Sequence, residues 1–190
     1  EPYATILDYA DAREVDLVVM PTRGRRGLER LLLGSTTERV VRRAEVPVLT
    51  VRPDDVCIDY PYRNVLVPTD GSDCAGDALA VSVDVAGAAG GALHLVSVVD
   101  VASLGVDVRT NVQMDSLEAR AEQILADAAT VAEEGGVDTV AETVEYGPSV
   151  HRAVLDYVED DDVDLVVVGT HGRTGFDRYA LGSVTEKLVR

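Results

Sequence analysis

The sequence contains no tryptophan, one phenylalanine and a single lysine, Lys187. Aromatic residues make up 4% of the chain and apolar residues 46%, so a core must be built from Val, Leu, Ala and Ile. Cysteine is also scarce, because only Cys57 and Cys74 occur and no CxxC motif joins them. This scarcity excludes a disulfide framework and predicts a reduced, cytoplasmic chain.

Basic residues are few, with 17 Lys and Arg against 34 Asp and Glu and a formal net charge of −17. A general nucleic-acid binder needs clustered Lys and Arg for phosphate contacts, so no nucleic-acid partner is predicted. Two interpretations of the acidity stay open: an ordinary acidic cytosolic protein, or a halophilic protein whose dense carboxylates keep it hydrated in a salty cytosol. No apolar run approaches the ~18–20 residues of a membrane span, and no signal peptide is visible, so no membrane partner is predicted.

An internal repeat dominates the sequence, because residues 1–42 align with residues 149–190 and nearly half of the aligned positions are identical. The string VDLVV, for example, occurs at 15–19 and again at 163–167. A glycine-rich stretch follows each string: PTRGRRGLERLLLGSTTE in the first copy and GTHGRTGFDRYALGSVTE in the second. Because a repeat of this size reflects repeated structural units, we use it first to place the domain boundaries.

The two copies are incomplete at opposite ends. The first copy continues into RAEVPVLTVR at 43–52, whereas the second stops without such a strand. We therefore expect residues 1–52 to be the C-terminal part of one domain, and residues 64–190 to be a second domain that lacks its last strand. Residues 53–63, PDDVCIDYPYR, are rich in proline and aspartate and suit a linker.

Strands and helices alternate in the second copy. Short apolar runs predict strands at 64–68, 92–100, 138–146 and 164–168, the third at an edge of the sheet, with helices between them. Ser72 or Asp73 is expected to cap the first helix, which Gly87, Gly90 and Gly91 end. This alternation predicts a parallel sheet with helices on both faces, whose ligands bind at the carboxyl ends of the strands.

The glycine-rich stretch of the second copy joins a strand end to a helix start. The first N–H groups of a helix have no partner inside it and carry the positive end of its dipole, so an anion such as phosphate satisfies both. Glycines let the main chain approach a ligand, and Ser183 and Thr185 can add hydroxyl donors. Alternatively, these glycines and Ser183 form an ordinary connection between a strand and a helix. Neither a Walker loop nor a GxGxxG fingerprint occurs in the sequence.

The spacing Gly-x2-Gly-x9-Gly-Ser, filled by Gly169, Gly172, Gly182 and Ser183, resembles the ATP-binding signature of the universal stress protein family. The segments VLVPTDGS at 65–72 and VPVLTVR at 46–52 are also similar to segments of that family. The resemblance covers the whole chain except the joint. It implies a doubly wound, five-stranded parallel sheet of order 3-2-1-4-5, related to other adenine-nucleotide alpha-hydrolase-like folds, and tandem copies.

The resemblance also implies an ATP site, with Mg²⁺, in the second copy. Asp70 resembles the residue that contacts the ribose, although without the family it is equally well a turn aspartate. Val98 resembles the residue whose main chain reads the adenine edge. The nucleoside side is thus implied at Pro68, Asp70, Val98, Val168 and Gly169, and the phosphate side at Gly172, Gly182, Ser183, Val184 and Thr185.

The first copy departs from this pattern, because Pro21 replaces the glycine that matches Gly169 and offers no N–H. We predict no nucleotide site there. No nucleophile–base pair is apparent either, since the histidines are scattered, at His94, His151 and His171. The sequence therefore favours a nucleotide-dependent stress-response or signalling module with at most slow ATP hydrolysis. The alternative is a structural or partner-binding member that no longer binds nucleotide.

The missing last strand leaves an open edge at the predicted fourth strand of the second copy, and open edges are normally covered or paired. Residues 46–52 could cover it, either within the chain or from a neighbouring chain. The sequence thus predicts a homodimer, or a tandem pseudo-dimer, that forms through this edge strand.

Overall fold

A computed structural model describes residues 1–22, 33–52, 60–101, 111–170 and 181–189. The chain divides into two compact units, a first unit of Glu1–Ile58 with Phe176–Arg190 and a second unit of Asp59–Gly175. This division places the last residues of the chain with the first unit. The sequence-based domain boundaries, 1–52 and 64–190 with a linker at 53–63, stay a prediction.

The second unit contains a four-stranded parallel sheet. Its strands are β3 (Asn64–Pro68), β4 (Ala92–Asp100), β5 (Thr139–Gly147) and β6 (Leu165–Val166), in the order β5-β4-β3-β6. The connections are α3 (Asp73–Ala89), α4 (Asn111–Glu134) and α5 (Val150–Asp160). The prediction of a parallel α/β sheet is confirmed, with β5 at one edge.

Side chains of the central strand β4 alternate between two faces of this sheet. Leu93 and Leu95 are fully buried against α3 and α4, together with Val65 and Val67 of β3. His94 lies on the opposite face, where α5 packs. The helices thus cover both faces, as the near-continuous apolar strands predict.

The ends of α3 follow the sequence prediction. Ser72 is its N-cap and its hydroxyl accepts a hydrogen bond from the Ala75 N–H at 3.4 Å. Gly90 ends the helix in the left-handed conformation, with φ +58°, which glycine adopts without steric cost.

The first unit contains α1 (Pro2–Ala12), β1 (Val18–Pro21), α2 (Ser35–Val41), β2 (Val48–Val51) and, at the end of the chain, α6 (Ser183–Leu188). β1 and β2 are parallel, with Val18 opposite Val48 and Pro21 opposite Val51. Its small core includes Ala10, Val18 and Val40. Among the described residues of both units, no helix has the length and apolar character that a bilayer crossing needs.

Three expectations are corrected by these elements. The single five-stranded sheet is not found; the described residues form a sheet of four strands and a separate sheet of two. The predicted strand at 164–168 is shortened to Leu165–Val166, the two residues that pair with β3. Residues 46–52 do not cover β6 within this chain, because Val48–Val51 pairs with β1 instead.

Candidate functional site

Three strands of the second unit end at one edge of its sheet. The register pairs Pro68 with Val96 and Leu66 with Val166. Extending the same register places Val168 level with Pro68, while Val98 lies two residues beyond Val96 on β4. The structure therefore brings Pro68, Val98 and Val168 to the carboxyl edge, where parallel sheets bind ligands.

The turn after β3 fixes Asp70 at the same edge. The Thr69 N–H donates to the Val96 carbonyl at 2.9 Å, which holds the turn against β4. The Asp70 Oδ1 accepts the Ser72 N–H at 3.0 Å, and Gly71 has a φ of +72°. Asp70 is thus a turn residue, as the alternative expected, and its contact with a ribose stays a prediction.

Gly169 lies against the first turn of α3. A Cβ atom at this position would be 2.6 Å from the Cys74 carbonyl oxygen and 2.8 Å from its carbonyl carbon. Both contacts are with backbone, which cannot move aside as a flexible side chain can. Position 169 is therefore restricted to glycine, and Cys74 could not be predicted because nothing in the sequence identifies its carbonyl as the neighbour.

The predicted phosphate side lies mostly in the first unit. Gly182 is the N-cap of α6 with φ −59° and ψ 145°, and no side chain there accepts a capping hydrogen bond. Ser183 is exposed, whereas Thr185 is buried with 6% of its surface accessible. Val184 lies between them in the first turn. Gly172 falls outside the described residues.

The first copy has the same helix start. Gly34, the N-cap of α2, has φ −58° and ψ 136°. The Gly34 N–H donates to the Thr22 carbonyl at 2.8 Å, and the Thr37 hydroxyl donates to the Pro21 carbonyl at 2.8 Å. These hydrogen bonds hold the start of α2 against the end of β1. The sequence analysis named Thr185, the counterpart of Thr37, only as a possible hydroxyl donor to phosphate, so this structural role of Thr37 was not predicted.

The described histidines have structural partners. His94 Nδ1 lies 2.9 Å from the Tyr157 hydroxyl, and the two rings meet edge to face at 5.9 Å. Burial raises the pKa of Tyr157, so its hydroxyl stays protonated. His151 Nδ1 lies 2.5 Å from the Ser149 hydroxyl, while His171 falls outside the described residues. No group of three potential metal ligands occurs within the described ranges.

A cavity of about 150 Å³ opens elsewhere in the second unit, between β5 and α5. Four carboxylates line it, those of Glu145, Asp156, Asp160 and Asp161. A hydrogen bond to Glu118 raises the pKa of the neighbouring Tyr146 to about 12. None of the nine predicted site residues that the structure describes lines this cavity, and its four carboxylates, which outnumber the single arginine Arg152, would repel phosphate.

Comparison with known proteins identifies the relatives of the chain. The profile described as "Universal stress protein family" matches residues 1–52 and 61–190. The universal stress protein Rv2005c of Mycobacterium tuberculosis is 33% identical over 193 residues, which cover 99% of this chain. The chain spans 62% of the length of that relative.

Two solved structures extend the comparison. A universal stress protein from Archaeoglobus fulgidus is 26% identical with a TM-score of 0.70, covering 100% of this chain and 63% of its own. A universal stress protein in complex with cAMP is 24% identical with a TM-score of 0.51, covering 67% of this chain and 87% of its own; this likeness concerns the fold alone. On the profile match and these relatives, the chain belongs to the universal stress protein family.

Proposed function

We propose that this chain binds ATP, with Mg²⁺, through the second copy of the repeat and acts as a nucleotide-dependent stress-response or signalling module. One observation carries the proposal: the glycine–serine signature begins at Gly169, three residues beyond β6, whose partner strand β3 ends at Pro68 and leads into the turn of Asp70. A nucleoside at this edge would lie beside the turn that holds Asp70.

The phosphate side of the proposal relies on the start of α6. Its N-cap, Gly182, has no side chain to accept from the first-turn N–H groups. Phosphate oxygens are acceptors of the right charge for such groups. Ser183 is exposed and can donate its hydroxyl to the same phosphates, whereas the buried Thr185 would act through its backbone N–H.

The tandem arrangement and the five-stranded order belong to the same proposal. The sheet β5-β4-β3-β6 corresponds to order 3-2-1-4 within the second copy, and the pair β1-β2 corresponds to the step from 4 to 5 within the first. Together they support order 3-2-1-4-5 for a complete copy.

Calorimetric titration of the full chain with ATP and Mg²⁺ tests the binding proposal. We expect Ser183→Ala to weaken ATP binding by about tenfold, the loss of one hydrogen bond to a charged group. Ser35→Ala is the matched control, since Ser35 is the equivalent exposed serine of the first copy, where we predict no site. It should leave the affinity unchanged.

Two further titrations test which parts of the ligand are bound. Removing Mg²⁺ with EDTA should weaken ATP binding, and cAMP, which lacks the β- and γ-phosphates, should bind more weakly than ATP. No heat of binding at millimolar ATP would refute the proposal and favour the structural, partner-binding alternative. Equal losses in Ser183→Ala and Ser35→Ala would place the site elsewhere.

A further inference from the structure

A serine and a histidine lie in contact where β5 leads into α5. β5 ends at Gly147, Ser149 is the N-cap of α5, and His151 lies in the first turn of that helix. The Ser149 hydroxyl oxygen is 2.5 Å from Nδ1 of His151, and both residues are partly exposed. This is the contact that a nucleophile makes with its general base. The sequence gave no sign of the pair, because a separation of two residues carries no signal by itself.

Ser149 occupies a capping position without capping the helix through its side chain. An N-cap serine normally accepts a hydrogen bond from a first-turn N–H, as Ser72 does from Ala75 in α3. The Ser149 side chain makes no such hydrogen bond, and its hydroxyl contacts His151 instead. Helix capping therefore does not account for the contact between the hydroxyl and the imidazole.

The backbone beside Ser149 offers a donor for developing negative charge. The Arg152 and Ala153 N–H groups both donate to the Ser149 carbonyl at 3.1 Å and close the first turn of α5. The Val150 N–H directly follows Ser149 and takes no part in these two bonds. Enzymes that use a serine between a strand and a helix stabilise the oxyanion with the N–H of the residue after the nucleophile. Nucleophile, oxyanion donor and base are therefore consecutive residues here.

The cavity between β5 and α5 adjoins the same turn. Gly147, Pro148, Arg152 and Ala153 line it, and they flank the serine and the histidine on both sides in the chain. Its volume of about 150 Å³ holds a group of only a few heavy atoms. Its four carboxylates disfavour a group with negative charge. These properties favour a short, uncharged or cationic acyl group.

We propose that Ser149 is an acyl-accepting nucleophile with His151 as its general base, and that its substrate is a short-chain ester without negative charge. The Ser149 oxygen forms a bond to the ester carbonyl carbon, its proton passes to Nδ1 of His151, and the Val150 N–H stabilises the oxyanion. The bond from that carbon to the alcohol oxygen then breaks, and His151 gives its proton to the leaving alkoxide. Water attacks the acyl-serine in the same way and releases the carboxylic acid.

Covalent labelling of the full 190-residue chain with a fluorophosphonate, followed by peptide mass spectrometry, tests the nucleophile. We expect Ser149 to be labelled ~10²-fold faster than Ser35, an exposed serine in the first turn of α2. His151→Gln should remove most of this difference, because glutamine cannot take up the proton. Glu159→Gln, at an exposed position of the same helix, is the matched control and should leave the labelling unchanged.

Release of p-nitrophenolate tests the substrate class. The parent chain should hydrolyse p-nitrophenyl acetate faster than the anionic p-nitrophenyl succinate. Ser149→Ala should lose the activity, whereas Ser35→Ala should keep it. Failure of the parent chain to hydrolyse the acetate ester faster than buffer overturns the proposal.

The labelling has its own contrary outcomes. The proposal is overturned if Ser149 is labelled no faster than Ser35, or if a folded His151→Gln is labelled as fast as Glu159→Gln. The comparison of the two serines needs no variant, so it decides the proposal alone if His151→Gln does not fold, as judged by circular dichroism. None of these measurements involves nucleotide, so failure here leaves the ATP proposal standing.

Discussion

At the scale of single residues, Gly169 is the position where packing and proposed function coincide. Its lack of a side chain lets the segment after β6 approach the Cys74 carbonyl in the first turn of α3. Gly169 also lies at the carboxyl edge of the sheet, where the proposed nucleoside would bind. A glycine here therefore stabilises the fold independently of any ligand.

We expect Gly169→Ala to lower the free energy of unfolding by ~1–3 kcal/mol, because the added methyl overlaps backbone atoms that cannot move independently. The matched control is Gly76→Ala, since a Cβ at that helical position meets nothing within 4 Å. Alanine there should raise stability by up to ~1 kcal/mol through helix propensity. Urea denaturation measures the free energy of unfolding of both variants. If Gly169→Ala leaves that free energy unchanged, the backbone at Cys74 can move to accommodate the added methyl group.

At the scale of elements, the repeat provides an internal comparison. Tyr157 and Tyr9 occupy equivalent helix positions and are 8% and 59% exposed. The difference follows from β4, which supplies His94 to Tyr157. The tyrosine of the string LDY, which both helices contain, is thus buried in α5 and exposed in α1.

Tyr157→Phe should therefore cost about 1 kcal/mol of stability, the usual net value of a buried hydrogen bond, while leaving the ring packing intact. Tyr9→Phe, at the exposed equivalent, should change the free energy of unfolding by less than ~0.5 kcal/mol. Chemical denaturation of the two variants side by side measures the difference. Equal effects would mean that the His94 hydrogen bond contributes nothing to stability.

Strands that lie inside the sheet were the most predictable elements. The runs at 64–68 and 92–100 were predicted with the bounds observed for β3 and β4, because strands covered on both faces are apolar along their length. The fourth strand was overestimated, since its pairing depends on a neighbour that the pattern of one strand does not reveal. α4 begins at Asn111, earlier than the apolar spacing from residue 115 indicated.

At the scale of the whole molecule, the net charge of −17 is spread over 190 residues with one lysine. Repulsion between surface carboxylates opposes the compact state at low salt. At ~1 M salt the Debye length is ~3 Å, so that screening is then nearly complete. The change in thermal midpoint above ~1 M salt therefore distinguishes an ordinary acidic protein from a halophilic one.

For a halophilic surface we expect the thermal midpoint to rise from 0.1 M to about 1 M KCl through screening and to keep rising at higher concentration. Circular dichroism melts across the series measure it. A curve that levels off near ~1 M would identify an ordinary acidic protein stabilised by screening alone. Sucrose at matched viscosity is the control for general solvent effects.

The sequence alone determined the repeat, the alternation of parallel strands and helices, the family resemblance and the ten candidate residues, since each depends on local spacing or direct identity. Only the tertiary structure decided that Gly169 meets the Cys74 carbonyl, that Asp164 fastens the start of β3, and that β2 pairs with β1 rather than β6. These features join residues far apart in the chain. The two copies carry the same string VDLVV, so its packing depends on the strand beside it.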